Sequence, residues 1–224
     1  MWDVDSVYRE RRAAWNGGAM ARFTTERGLD RLVNFSDATV AIALTLLILP
    51  LSDLAGEAHR GGLGAVLSAH VGAVLAFLIS FIVIAVMWMA HHRFFELLVD
   101  YSPALIRLNL VWLFAVVVLP FSTEGLNVTS SHADRVSVGV YIGNLFLGFT
   151  ALAVMRAVVM SRPGLVDPEQ RGSLRLASDI ALCFVCAAAL IVGLIAPHYG
   201  LYVLLLIPFA RSASLALPRG RRTR

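Results

Sequence analysis

The chain has 224 residues, 58% of them hydrophobic, with a mean hydropathy of +0.74. That composition excludes a soluble globular domain and describes a polytopic membrane protein. The net charge is +4 and every basic residue is arginine, which excludes lysine Schiff-base chemistry; the arginines gather between apolar runs, as membrane topology requires, so no nucleic-acid partner is expected.

Residues 1–28 are polar and carry the pair Gly17-Gly18. They lack the apolar centre of a cleavable leader, so they read as a cytoplasmic N-terminal arm. A basic arm beside a membrane can bind anionic lipid, although setting topology is the plainer role. Six apolar runs follow, at roughly 32–51, 64–90, 104–123, 136–160, 174–196 and 199–217. Each is near the ~20 residues that cross a bilayer as a helix. The expected fold is an all-α polytopic membrane protein with six transmembrane helices over 29–217, closed by a basic cytoplasmic tail at 218–224. Arginines precede the first run, flank the second-to-third and fourth-to-fifth connections and end the chain. Only Arg60 and Arg135 fall in the other loops. Both termini are therefore expected in the cytoplasm.

The first run is not a plain lipid anchor. Arg31, Asn34, Ser36 and Asp37 occupy its first turns, and the next charge is Asp53. A carboxylate about 9 Å into a spanning helix is costly unless it faces protein or water, so Asp37 marks a functional or a helix-locking site. Arg31 and Asp37 are six residues apart and point to different faces, so each needs a partner elsewhere. Ile42, Leu46 and Leu49 fall on one helical face beside Thr45; such a stripe is usually packing or lipid contact. Pro50 is expected to end the span, and Asp53 and Glu57 follow in an outer loop.

The second run returns inward to Trp88, His91, His92 and Arg93, at the depth of Phe35-Ser36-Asp37. Trp88, His91 and His92 are thus the nearest candidate partners of that stretch, and Asn109 in the third run reaches the same depth. Adjacent histidines diverge by about 100° on a helix, which makes joint ligation of a metal or haem poor. The third run is expected to end at Pro120-Phe121, before a loop with the weak glycosylation pattern Asn127-Val128-Thr129. Gly139 and Gly143 in the fourth run are spaced for close helix approach. Cys183 and Cys186 in the fifth read as small packing residues. Neither Gly-x-Ser-x-Gly nor His-Glu-x-x-His occurs, so no enzyme is expected.

Arg31-x-x-x-Phe35-Ser36-Asp37, followed by Ala-x-x-Ala-Ile-Ala-x-Thr-Leu-Leu, resembles the signature of the transmembrane protein 175 family of lysosomal and prokaryotic potassium channels. The resemblance implies a single-repeat member, assembled as a homotetramer whose first helices line a central pore. It places the hydrophobic constriction at Ile42, with Leu46 and Leu49 as further constricting positions and Thr45 as the pore threonine. It makes Arg31, Phe35, Ser36 and Asp37 structural. The implied function is a potassium-preferring cation channel in a bacterial inner membrane, with no cofactor and with K+ as the permeant ion. A proton-coupled secondary transporter using Asp37, His91 and His92 is the alternative.

Overall fold

The computed structural model describes residues 19–54, 62–126, 135–174, 176–196 and 199. Among these, every element is helical, apart from one isolated antiparallel bridge between Leu98 and Val166. The sixth apolar run beyond Tyr199, the stretches with Glu57 and with Asn127, and the arm before residue 19 lie outside the described residues, as does the side chain of Asp53.

Helix α1 spans Ala19–Leu46, so it runs unbroken across residue 28. The chain then turns and resumes as the short α2, Leu49–Asp53, with Pro50 in its first turn. Pro50 does not end the span, as the sequence suggests; it begins a new helical piece. Its ring has no N–H and collides with the carbonyl four residues back, that of Leu46, so α1 stops there. The second apolar run is likewise two pieces. α3 covers Leu63–Ala69, and α4 covers Val71–Phe95, with His70 between them outside helical geometry. α4 therefore carries His91, His92 and Arg93 on helix, beyond the expected end at residue 90.

α5 spans Pro103–Glu124. The Ser102 hydroxyl accepts from the Leu105 N–H and caps its start, with Pro103 in the first turn. Pro120 lies inside this helix and does not terminate it. One turn further on, the Ser122 and Thr123 hydroxyls donate to the Leu119 carbonyl at 3.0 and 2.7 Å, and the helix continues to Glu124. α6 spans Arg135–Met160 and α7 spans Leu176–Ile195. Four stretches among the described residues are long and apolar enough to cross a membrane: Arg27–Ser52, Val71–Phe95, Pro103–Glu124 and Arg135–Met160. Asp179–Ile195 is a shorter apolar helix.

α5 packs along α6, and α6 along α7, as an antiparallel stack. α1 lies on one side of that stack against α5 and α4. The core between them is fully buried Ile84, Met87, Phe94, Trp112, Tyr141 and Met155, among others. Gly148, not Gly143, marks the closest helix approach. A Cβ on Gly148 would meet the Met87 methyl and come within 3.4 Å of Ala115 Cβ, whereas one on Gly143 would meet nothing. A Cβ on Gly139 would touch Leu194 at 3.3 Å.

Two of the connections between helices are tied together. The Val99 N–H donates to the Leu165 carbonyl at 3.0 Å, joining the α4–α5 and α6–α7 connections. Tyr101, in the same connection, lies across α1 at Gly28, where an added Cβ would sit 2.7 Å from the ring atom Cε1. Gly28→Ala is expected to lower the melting temperature of the purified protein, since overpacking costs about 1–3 kcal/mol against the ~1 kcal/mol that alanine adds to a helix. In a Tyr101→Ala background the same change should be neutral or stabilising. An equal loss in both backgrounds would rule out the contact.

Candidate functional site

At about 100° per residue, Ser36 and Asp37 leave α1 toward the side that α4 and α5 cover, while Arg31 and Phe35 leave it on the other. Ser36 is fully buried; Arg31 is exposed, and Phe35 is 56% exposed. The signature is thus divided between two faces of one helix. Among the described residues no ion pair joins Arg31 to Asp37.

The inward half is a hydrogen-bonded chain across three helices. The Ser36 hydroxyl donates to the Leu32 carbonyl at 2.8 Å, one turn back. Asn109 Nδ2 on α5 donates to Ser36 Oγ at 2.9 Å. Asn109 Oδ1 is therefore left as acceptor, and His91 Nε2 on α4 lies 2.7 Å from it. The histidine proton must sit on Nε2 for that contact to be a bond. The His91 ring is held flat between Phe95 and Trp112, at centroid distances of 4.2 and 4.0 Å. Beside this chain, the Trp88 indole N–H donates to Asp37 Oδ1 at 2.8 Å. His92 stacks on Trp88 at 5.2 Å, and its Nε2 lies 3.3 Å from Glu96. His91 and His92 thus serve different neighbours. Among the described residues no group of three or more His, Cys, Asp or Glu is placed to hold a metal.

Among the described residues an exposed apolar face runs along the outward half of α1 and onto α2. Ile42 is 60% exposed, Leu46 41% and Leu49 52%, whereas Val40, Ala43 and Leu47 on the opposite side are buried. Thr45 is exposed as well, and its hydroxyl donates to the Ile42 carbonyl at 2.7 Å.

Two further buried polar groups escaped the sequence reading. Arg156 on α6 pairs with Asp179 on α7 and lies over the Phe94 ring of α4, 5.2 Å from its centroid. The signal was present: single charges of opposite sign interrupt two consecutive apolar runs, and such charges pair. In the other, Ser80 Oγ lies 2.8 Å from Thr123 Oγ1 and 3.0 Å from the Tyr141 hydroxyl. Isolated Ser, Thr and Tyr residues in apolar runs give no comparable signal.

Asn109→Leu is expected to destabilise the protein more than Leu110→Ala on the exposed side of the same helix. It removes an acceptor from His91 and a donor from Ser36 at once, and each buried polar group left unmatched costs about 1–3 kcal/mol. Thermal unfolding in detergent measures this. Equal melting points for the two variants would show that the chain of bonds contributes nothing.

The profile of the family described as the endosomal/lysosomal potassium channel TMEM175 matches residues 31–120. These residues contain α1 from Arg31 to its end, α4, most of α5 and the whole bonded cluster. A Streptomyces collinus protein named a potassium channel is 33% identical over 187 residues, covering 76% of this chain and 90% of that one. A Chamaesiphon minutus protein, also named a potassium channel, is 36% identical over 130 residues, covering 56% and 61%. The crystal structure of a lysosomal potassium-selective channel TMEM175 homolog from Chamaesiphon minutus superposes with a TM-score of 0.70 at 25% identity, over 85% of this chain and 100% of that one. With its signature placed on the first spanning helix and a relative matched over nearly its whole length, the chain belongs to the TMEM175 family.

Proposed function

We propose that the chain is the subunit of a potassium-preferring cation channel, in which four copies surround a central pore lined by α1. The observation that carries this reading is the open face of α1. Ile42 and Leu46 project away from the subunit's own core on a helix held by named hydrogen bonds on its opposite side, and Leu49 at the start of α2 is exposed as well. Four such faces in cyclic symmetry enclose an axis. The relatives named potassium channels support the choice of ion.

In this reading Ile42 forms the narrowest ring, with Leu46 and Leu49 one and two turns further out. A narrow apolar ring dewets, so a cation passes only by shedding part of its hydration. Sodium holds its water more tightly than potassium, so the ring favours potassium without a loop of carbonyls. Between the rings Thr45 offers an oxygen. Its proton is committed to the Ile42 carbonyl, so the lone pairs are what it presents to a passing ion. Ser36, Asp37, Trp88, His91 and Asn109 hold α1 at its height and angle, with His92 stacked behind Trp88. Potassium is cargo and no cofactor takes part. The protein sits in a bacterial inner membrane, its 1–28 arm and 218–224 tail in the cytoplasm, with six spans over 29–217.

The test is flux through liposomes holding the purified protein. Potassium efflux down its gradient, faster than sodium efflux and independent of a proton gradient, is the expected result. Uptake that requires a proton gradient and carries no conductance would overturn the channel reading in favour of a coupled transporter.

A further inference from the structure

The two halves of the signature do different work, and Phe35 belongs with the conduction path. Counting about 100° per residue, Phe35 lies about 20° from Ile42 around α1. Phe35 is about 10.5 Å closer to the cytoplasm than Ile42. It is 56% exposed, comparable with Ile42 at 60%. Ser36 next to it is fully buried and bonded to Asn109, which fixes the rotation of α1 at this level. Phe35 therefore cannot turn in to pack against α4 or α5 without breaking that bond. α1 is continuous helix from Phe35 through Ile42, with no break between them to reorient one against the other. Whatever Ile42 faces, Phe35 faces.

We infer that Phe35 lines the pore as an inner apolar ring, on the cytoplasmic side of the Ile42 constriction. The inference rests on the reading that α1 encloses the pore. Arg31 continues the same line one turn further in, but its long side chain reaches toward the aqueous phase. Phe35 is thus the first side chain a potassium ion meets inside the lipid-depth part of the path. The ring narrows the inner mouth, and its aromatic faces suit a partly dehydrated cation.

Cysteine accessibility tests this in proteoliposomes, in a Cys183→Ala/Cys186→Ala background. Phe35→Cys, Ile42→Cys and Phe114→Cys are compared; Phe114 is an exposed apolar residue of α5. A bulky cationic thiol reagent supplied on the cytoplasmic side is expected to abolish most potassium flux in the Phe35→Cys variant. In the Ile42→Cys variant silver ion, small enough to enter the constriction, should do the same. Phe114→Cys should keep its flux with both reagents. Block at Ile42 without block at Phe35 would overturn the inference and leave the pore reading standing. Block at neither, in a preparation that conducts, would remove the pore reading and this inference with it. If Phe35→Cys does not assemble, Phe35→Tyr serves instead. Its added hydroxyl retains water at the inner mouth, so flux should rise severalfold. Unchanged flux in Phe35→Tyr would count against the ring.

Discussion

Ile42→Asn is expected to raise cation flux on the order of tenfold, which corresponds to about 1.4 kcal/mol off the barrier, and to erode the preference for potassium over sodium. The side chain is 60% exposed on the open face of α1, so the change adds a hydrogen-bonding group without disturbing the subunit core. In an apolar ring the barrier comes from expelled water, and an amide lets that water stay. The two effects then have one cause: an ion that keeps its hydration crosses faster and is no longer sorted by how tightly it is hydrated. Leu46→Asn should act in the same direction with a smaller effect. Phe114→Asn on α5, equally exposed in the subunit, should leave flux and preference unchanged. Parallel efflux assays with potassium and sodium measure all three variants. If Ile42→Asn behaves as Phe114→Asn does, this face of α1 does not line the pore.

The largest loss of stability is expected at the pair between Arg156 and Asp179. Both side chains are almost wholly buried, and the guanidinium also lies over Phe94. Asp179→Ala takes the carboxylate away from a buried arginine, a change that typically costs about 3–5 kcal/mol. Little folded protein should survive extraction. Arg156→Leu/Asp179→Leu removes both charges and fills the site with apolar side chains, and replacing a whole buried pair by apolar residues is often close to neutral. The double variant should therefore recover much of the yield and melting temperature lost in Asp179→Ala. A double variant no better than the single one would show that the charges themselves, not their mutual compensation, hold α6 to α7.

The order of the four span-length helices among the described residues could be read from hydropathy, because an apolar run of span length has few other fates. Helix breaks were less legible, and each miss has a local cause. Pro50 is compatible with the first turn of a helix as well as with a helix end, and only the backbone decides which. Pro120 sits inside a helix that continues to Glu124, and a proline in sequence does not say whether the helix goes on past it. Spacing suggested close approach at Gly139 and Gly143, but closeness depends on what faces a glycine: Leu194 faces Gly139, nothing lies within 4 Å of a Cβ on Gly143, and Met87 and Ala115 face Gly148. Trp88, His91 and Asn109 could be placed at the depth of Ser36 and Asp37 because antiparallel spans share a ruler. Which of them bonds to which could not be, since that depends on helix rotation. The same limit hid the outward turn of Phe35, which is printed in sequence as one motif with residues that turn inward.

The bonds at Ser36 and Asp37 also restrict how α1 can move. Sliding it by one turn would bring either Val40 and Ala41 or Leu32 and Val33 to this depth, none of which has a side-chain acceptor for Asn109 Nδ2 or the Trp88 indole. Translation along the axis is thereby opposed at one fixed level, that of Ser36 and Asp37. The movement left is a tilt about that level, whose displacement grows with distance from the fulcrum. Between Asn34 and Leu49 the lever is about 22 Å long if straight, and the turn after Leu46 adds a joint near its far end. If four copies enclose a pore with α1, as proposed, the spacing between them should vary little at Asn34 and most at Leu49, so the Leu49 end is the part free to breathe.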